Sequence, residues 1–169
     1  MPGKPTIYLD TSIISAYWHE SADVLASSRR LLTRQWWDEE RRYFKVFTSS
    51  ITEDELAAGD FPRQQDCLKM IRKLPYLPID GRVASLAETL LAKQLVPASK
   101  PRDALQMAIA TVFEIDYLLT WNYAHLANPV VQQRLAALCD KLELRVPSMV
   151  SPESIPKVAL SQIIRRKPK

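Results

Sequence analysis

The chain has 169 residues, 47% of them hydrophobic, enough for one domain with a sizeable core. Its net charge is +4, yet Lys157, Arg165, Arg166, Lys167 and Lys169 are unopposed by any acid in residues 157–169, so the remainder sums to 4 − 5 = −1 and the basic balance is no evidence of a nucleic-acid-binding body. Cys67 and Cys139 are isolated and His19 and His125 are the only histidines, which argues against a zinc cluster or a disulfide framework and suits a reducing compartment.

Residues 6–9 (TIYL) combine β-branched, aromatic and aliphatic side chains, the pattern of a buried strand, and the run stops on Asp10 before a helical stretch over 13–18. A long helical pattern over 22–42 follows, with Leu25, Leu32 and Trp36 at helical spacing. Trp36 and Trp37 point about 100° apart, so they either both cover the core edge or one faces a partner. Further strands are expected at 45–48, 76–79, 117–120 and 143–146, with helices at 51–58, 62–74, 81–94, 101–113 and 130–142. This alternation predicts an α/β protein, a three-layer α/β/α sandwich around a parallel sheet. Residues 1–150 form the expected domain and 151–169 a basic C-terminal tail, either a solvated terminus or a contact for RNA or a partner. Met1 to Pro5 lead directly into the first strand, and no apolar run approaches the ~18 residues of a membrane span. A soluble cytoplasmic domain is expected.

An acid that ends a buried strand lies at the carboxyl edge of the sheet, where α/β proteins bind ligands and metals. Asp10 is in that position. On the helix over 51–58, Glu55 shares a face with Ile51 and Ala58 beside Leu56, whereas Glu53 points almost opposite, toward water. Asp103 opens a helix announced by Ser99 and Pro101 and apolar nearly all round, Gln106 and Glu114 excepted, so it is central and Asp103 is not on an ordinary solvated face. The run Tyr117-Leu-Leu-Thr-Trp-Asn122 is a second buried strand ending on a polar residue; Asn122 either caps the following turn or ligates a hard cation or its water. Carboxylates forced together repel unless a cation neutralises them. Mg²⁺ or Mn²⁺ does so with oxygen ligands, polarises a phosphodiester and acidifies a bound water. Thr11, Ser12 and Ser49 are candidate hydroxyls for orienting waters or phosphate oxygens.

Taken in series, Ile7-Tyr-Leu-Asp-Thr-Ser12, then Ser49 with Glu55-Leu56 and Gly59, then Asp103-Ala-Leu with Met107-Ala-Ile-Ala110, and finally Leu119-Thr-Trp-Asn122 with His125-Leu126 resemble a PIN domain. The likeness is to the small bacterial ribonucleases of the VapC toxin type and spans residues 6 to 126. It implies a cluster of acids binding Mg²⁺ or Mn²⁺, endonucleolytic cleavage of RNA to a 5′-phosphate and a 3′-hydroxyl, a cognate antitoxin protein and a homodimer. The family's acidic positions fall on Asp10, Glu55, Asp103 and, in place of an acid, Asn122. By that resemblance Asp10, Asp103 and Glu55 are the metal ligands and Asn122 assists them. His125 either contacts phosphate or packs near Trp121. Asn122 places two-metal catalysis in question, since one negative charge fewer weakens a second ion more than the first.

Two other classes compete. A PIN-like domain that binds RNA or a protein without cutting fits Asn122 and the basic tail. A phosphoacceptor also has an aspartate after its first strand. However, Ser12 stands where a haloacid-dehalogenase-like phosphatase has its second aspartate, and Asp10 lacks the extra acidic pair of a receiver domain.

Overall fold

The computed structural model describes residues 3–156. Four strands, β1 (Thr6–Leu9), β2 (Lys45–Phe47), β3 (Tyr117–Leu119) and β4 (Ser148–Val150), form one sheet in the order β2-β1-β3-β4. Every pairing is parallel: Ile7 lies against Val46 on one side and Tyr117 on the other, and Leu118 against Met149. Ile7, Tyr8 and Leu9 have no exposure at all, because β1 is covered on both faces and flanked on both edges.

The strand period of two divides the core. Tyr8, Leu118 and Met149 point into a layer built by α5 (Gly81–Ala92), α6 (Pro101–Val112) and α7 (Pro129–Leu142). Ile7, Leu9 and Leu119 point the other way, onto α1 (Thr11–Trp18), α3 (Ser50–Ala58), α4 (Gln64–Ile71) and Trp36. The architecture is the expected α/β/α sandwich. No helix among the described residues is long and apolar enough to cross a membrane.

Three elements differ from expectation. The segment expected as a strand at 76–79 makes a single bridge, Tyr76 opposite Thr48, because Pro75 and Pro78 remove the amides that would extend a ladder. Instead of a strand at 143–146, α7 ends with Glu143 in the left-handed region (φ 54°), and the edge strand forms only after Pro147. The helix expected over 22–42 stops sooner: α2 (Val24–Gln35) passes into one wide π turn, Trp36–Glu40, and a tight 3-10 turn, Arg41–Tyr43. Trp36 is thereby buried and Trp37 packs half-buried against the same layer, so both tryptophans cover core. Of residues 151–156, Ser151, Pro152 and Ile155 are buried, Ile155 in the core; the basic cluster from Lys157 onward lies outside the described residues.

Strand order fixes where a ligand site belongs. The chain leaves β1 for β2 on one side and returns to β3 on the other, so the carboxyl ends of β1 and β3 straddle the topological switch point. Asp10 follows β1 and Thr120 follows β3.

Candidate functional site

Asp10 is the N-cap of α1: its Oδ1 accepts the Ser12 amide at 2.6 Å, in the extended conformation (φ −77°, ψ 159°) that a cap requires. Its Oδ2 accepts the Ser12 hydroxyl at 3.0 Å and the Thr120 hydroxyl. The same Thr120 oxygen accepts the Asn122 amide at 2.9 Å, and Ser12 Oγ accepts the Trp121 amide at 2.8 Å. The ends of β1 and β3 are thus laced together through one carboxylate. Asn122 continues the chain of contacts: its Nδ2 donates to Asp103 Oδ2 at 3.2 Å, while its Oδ1 accepts the His125 amide at 3.0 Å. It therefore caps the following turn and touches an acid on α6 at once.

A second set starts one residue later. The Thr11 hydroxyl donates to Glu55 Oε2, and Gln106 Nε2 donates to the same oxygen at 3.2 Å. Gln106 lies one turn beyond Asp103 on α6, is 1% exposed, and its Oε1 has no hydrogen-bond partner among the described residues. Sequence reasoning treated Gln106 only as an interruption of an apolar helix, yet it is the group that joins α6 to the acid of α3. An amide one turn beyond Asp103 on a helix whose later turns are mostly apolar was the available signal.

Burial pushes the Asp10 carboxyl up to about 6, opposed by the Thr120 and Ser12 hydrogen bonds and assisted by repulsion from Glu55. Asp103 is also raised by burial, against the pull of Asn122, His125 and Lys100. None of the three acids forms an ion pair among the described residues; their partners are hydroxyls and amides.

Glu55, Asp103, Asn122 and His125 line a cleft of about 600 Å³, bounded also by Ser99, Lys100 and Arg102 at the start of α6. Lys100 and Arg102 escaped sequence reasoning because exposed cations at a helix start carry no pattern of their own. Asp10 does not line this cleft; it is 4% exposed, set back behind Thr120 and Asn122. Ser12 borders a second cavity on the α2 side. Ser49 is fully buried, with its Oγ 2.7 Å from the Tyr8 hydroxyl, and lines neither cavity.

No protein-family model matches the chain. No curated protein matches it either. In structure it is similar to a chain of the crystal structure of VapBC2 from Rickettsia felis bound to a DNA fragment from their promoter, at 15% identity and a TM-score of 0.49, over 86% of this chain and 98% of that one. A likeness of that extent carries no argument about activity.

The donors brought together are all oxygens, the chemistry of a hard cation. Among the described residues, however, no three Asp, Glu, His or Cys side chains are grouped closely enough to hold one ion. Mg²⁺ commonly binds through one or two carboxylates together with waters and substrate phosphates, and Glu55 and Asp103 offer two at the cleft wall. Asp10 accepts three hydrogen bonds on oxygens with about four acceptor positions between them, which leaves one free. The donor chemistry fits a water-retaining divalent ion; among the described residues there is no compact cage of three carboxylates.

Proposed function

We propose that this chain is a Mg²⁺- or Mn²⁺-dependent endoribonuclease of the PIN type, the toxin of a toxin–antitoxin pair. The observation that supports this reading is that Glu55 and Asp103, from two helices, line one cleft with Lys100, Arg102 and His125, while Asp10 lies buried at the switch point, all three acids having hydroxyl and amide hydrogen-bond partners only among the described residues. Buried negative charge with no ion pair favours a cation, and the basic residues lining the cleft favour a phosphate backbone.

Glu55 and Asp103 hold the ion from the cleft wall, with Asp10 behind them and Asn122 keeping Asp103 in place. When bound, the ion polarises the scissile phosphodiester and acidifies a water. Thr11 and Gln106 fix the Glu55 carboxylate, while Ser12 and Thr120 fix Asp10. Lys100, Arg102 and His125 draw phosphate oxygens toward the acids. An antitoxin and a second copy of the chain belong to the same proposal; exposed Val24, Leu25 and Leu31 on α2 offer apolar surface for either.

The test is incubation of the purified protein with a mixed RNA pool, with and without Mg²⁺ or Mn²⁺, beside Asp10→Asn. Metal-dependent cleavage that disappears in the variant is expected; full activity in Asp10→Asn would sink the assignment. A second reading, a domain of the same type that binds RNA without cutting it, is favoured by the burial of Asp10 and the missing three-acid group. RNA binding that survives loss of both metal and Asp10, with no Mn²⁺ uptake by calorimetry, would select it.

A further inference from the structure

The second cavity is lined by residues of α1 and α2 together with Trp121. It measures about 260 Å³, and its lining includes Ser12, Ser15, His19, Asp23, Arg29 and Trp121. Arg29 enters it from α2, its guanidinium carbon 5.5 Å from the Trp121 ring centre and 5.7 Å from that of Tyr123. Trp121 is itself held by a hydrogen bond of 2.9 Å from its Nε1 to the buried Thr33 hydroxyl, so the cation stacks on a fixed ring. The Arg29 Nε is buried without a hydrogen-bond partner, and no carboxylate is paired with Arg29 among the described residues. Asp23, the acid in the lining, accepts the Ala26 amide at 2.9 Å as the cap of α2.

A guanidinium oriented by aromatic rings, with no acid paired to it among the described residues, in a cavity that also holds the Ser15 hydroxyl, is arranged for a planar or tetrahedral oxyanion. The cavity wall is also the wall of the acidic site. Ser12 Oγ donates to Asp10 and accepts the Trp121 amide, so the cavity begins one side chain from Asp10. Lys100 and Arg102 stand at the other cleft, beyond Asn122.

We propose that Arg29, with Ser15, forms a phosphate subsite for a backbone phosphodiester of single-stranded RNA, in a cavity separate from the cleft of Lys100 and Arg102. This rests on the ribonuclease reading for the identity of the strand.

The test is binding of a labelled single-stranded oligoribonucleotide to the whole protein in a chelator, where no cleavage intervenes, across a salt series. Each phosphate neutralised on a single strand contributes about 0.7 to the slope of log K against log[salt], so Arg29→Met should lower the slope by about that much and weaken binding roughly fivefold to tenfold regardless of sequence. Arg29→Lys should retain the slope. Ser15→Asp, which sets an acid on the cavity wall and leaves the ring stack untouched, should weaken binding even if Arg29→Met does not fold. Wild-type affinity and slope in a folded Arg29→Met, or wild-type affinity in Ser15→Asp, overturns the subsite. Titration with inorganic phosphate is the second arm: Arg29-dependent uptake of the free anion with an unchanged RNA slope assigns the cavity to a small anion and overturns the strand. An Arg29-dependent slope without cleavage under any metal supports the subsite while removing the nuclease reading; cleavage with an unchanged slope does the reverse.

Discussion

The two edges of the sheet each carry an aspartate beside a central strand, and they are compensated in opposite ways. At the amino edge, Asp116 precedes β3, accepts the Thr6 amide at 2.8 Å and the Thr6 hydroxyl at 3.0 Å, and is ion-paired with Arg145. Its own amide donates to Thr6 Oγ1 at 2.9 Å and its carbonyl accepts the Ser148 amide, so it ties β1, β3 and β4 together. At the carboxyl edge, Asp10 also ties β1 to β3, through hydroxyls and one amide, and no cation meets it among the described residues. The amino edge spends its acid on structure and neutralises the charge. The carboxyl edge keeps a buried charge in reserve.

The largest effect expected from that difference is in Asp10→Asn, where cleavage should fall on the order of 10³-fold while the fold is retained. The hydroxyls of Ser12 and Thr120 can turn to accept from an amide, so the cap survives. Stability should change the other way. The folded-state pKa of Asp10, about 6, lies above the ordinary carboxylate value of roughly 3.9, so the folded chain binds the proton more tightly than the unfolded one. Stability from this group is full at low pH and lost as pH rises through about 6. At pH 7–8 in chelator, Asp10→Asn should therefore be the more stable by up to about 2–3 kcal/mol, with the gain shrinking toward pH 4. Urea midpoints across that range check it. A variant less stable than wild type at pH 8 would mean that the carboxylate is structural after all.

Asp116→Ala is the counterpart. It leaves the Thr6 amide and Arg145 without their acceptor and should cost about 2 kcal/mol. Cleavage per folded molecule should be unchanged. If activity fell as steeply as in Asp10→Asn, the contrast between the edges would fail.

The carboxyl-edge half of this contrast was legible in the sequence, whereas Asp116 was not singled out there. A run such as TIYL ending on Asp10, and YLLTWN ending on Asn122, place polar groups at strand ends whatever the details of packing, and the α/β class follows from alternation alone. The misplaced segments share a cause. At 76–79 and 143–146 the residues have strand-forming side chains, but Pro75, Pro78 and Pro147 decide where amides are available to a ladder, and composition outweighed them in the reading. The site was legible residue by residue and not as geometry. Nothing local in the sequence says that Asp10 turns inward to Thr120, 110 positions away, or that Gln106 reaches Glu55 across two helices. Ser49 satisfied the same strand-end rule as Ser12, yet the Tyr8 hydroxyl claims it inside the core.

Gln106→Met sharpens the comparison from inside the acidic site. The variant keeps volume, removes the donor to Glu55, and eliminates an unpartnered buried oxygen. Mn²⁺ affinity by calorimetry should weaken about 10- to 100-fold, with stability within about 1 kcal/mol of wild type because a lost hydrogen bond offsets a relieved orphan. Unchanged Mn²⁺ affinity would leave Thr11 as the sole group holding Glu55.

The smallest effect belongs to the other acid of α3. Glu53 lies two residues before Glu55 and so faces nearly the opposite way, where Arg72 Nε at 2.6 Å and the Tyr76 hydroxyl at 2.7 Å compensate it. Those two donors hold its carboxyl below the usual range, so its contribution to stability is present at neutral pH and fades as pH falls through that lowered value. The pair is exposed, and such pairs contribute about 0–1 kcal/mol. Glu53→Gln should therefore shift a urea midpoint slightly and leave cleavage and Mn²⁺ affinity untouched. One helix thus repeats the logic of the two sheet edges, a neutralised acid beside an uncompensated one. Loss of cleavage in Glu53→Gln would show that compensation by a cation does not separate structural acids from functional ones in this chain.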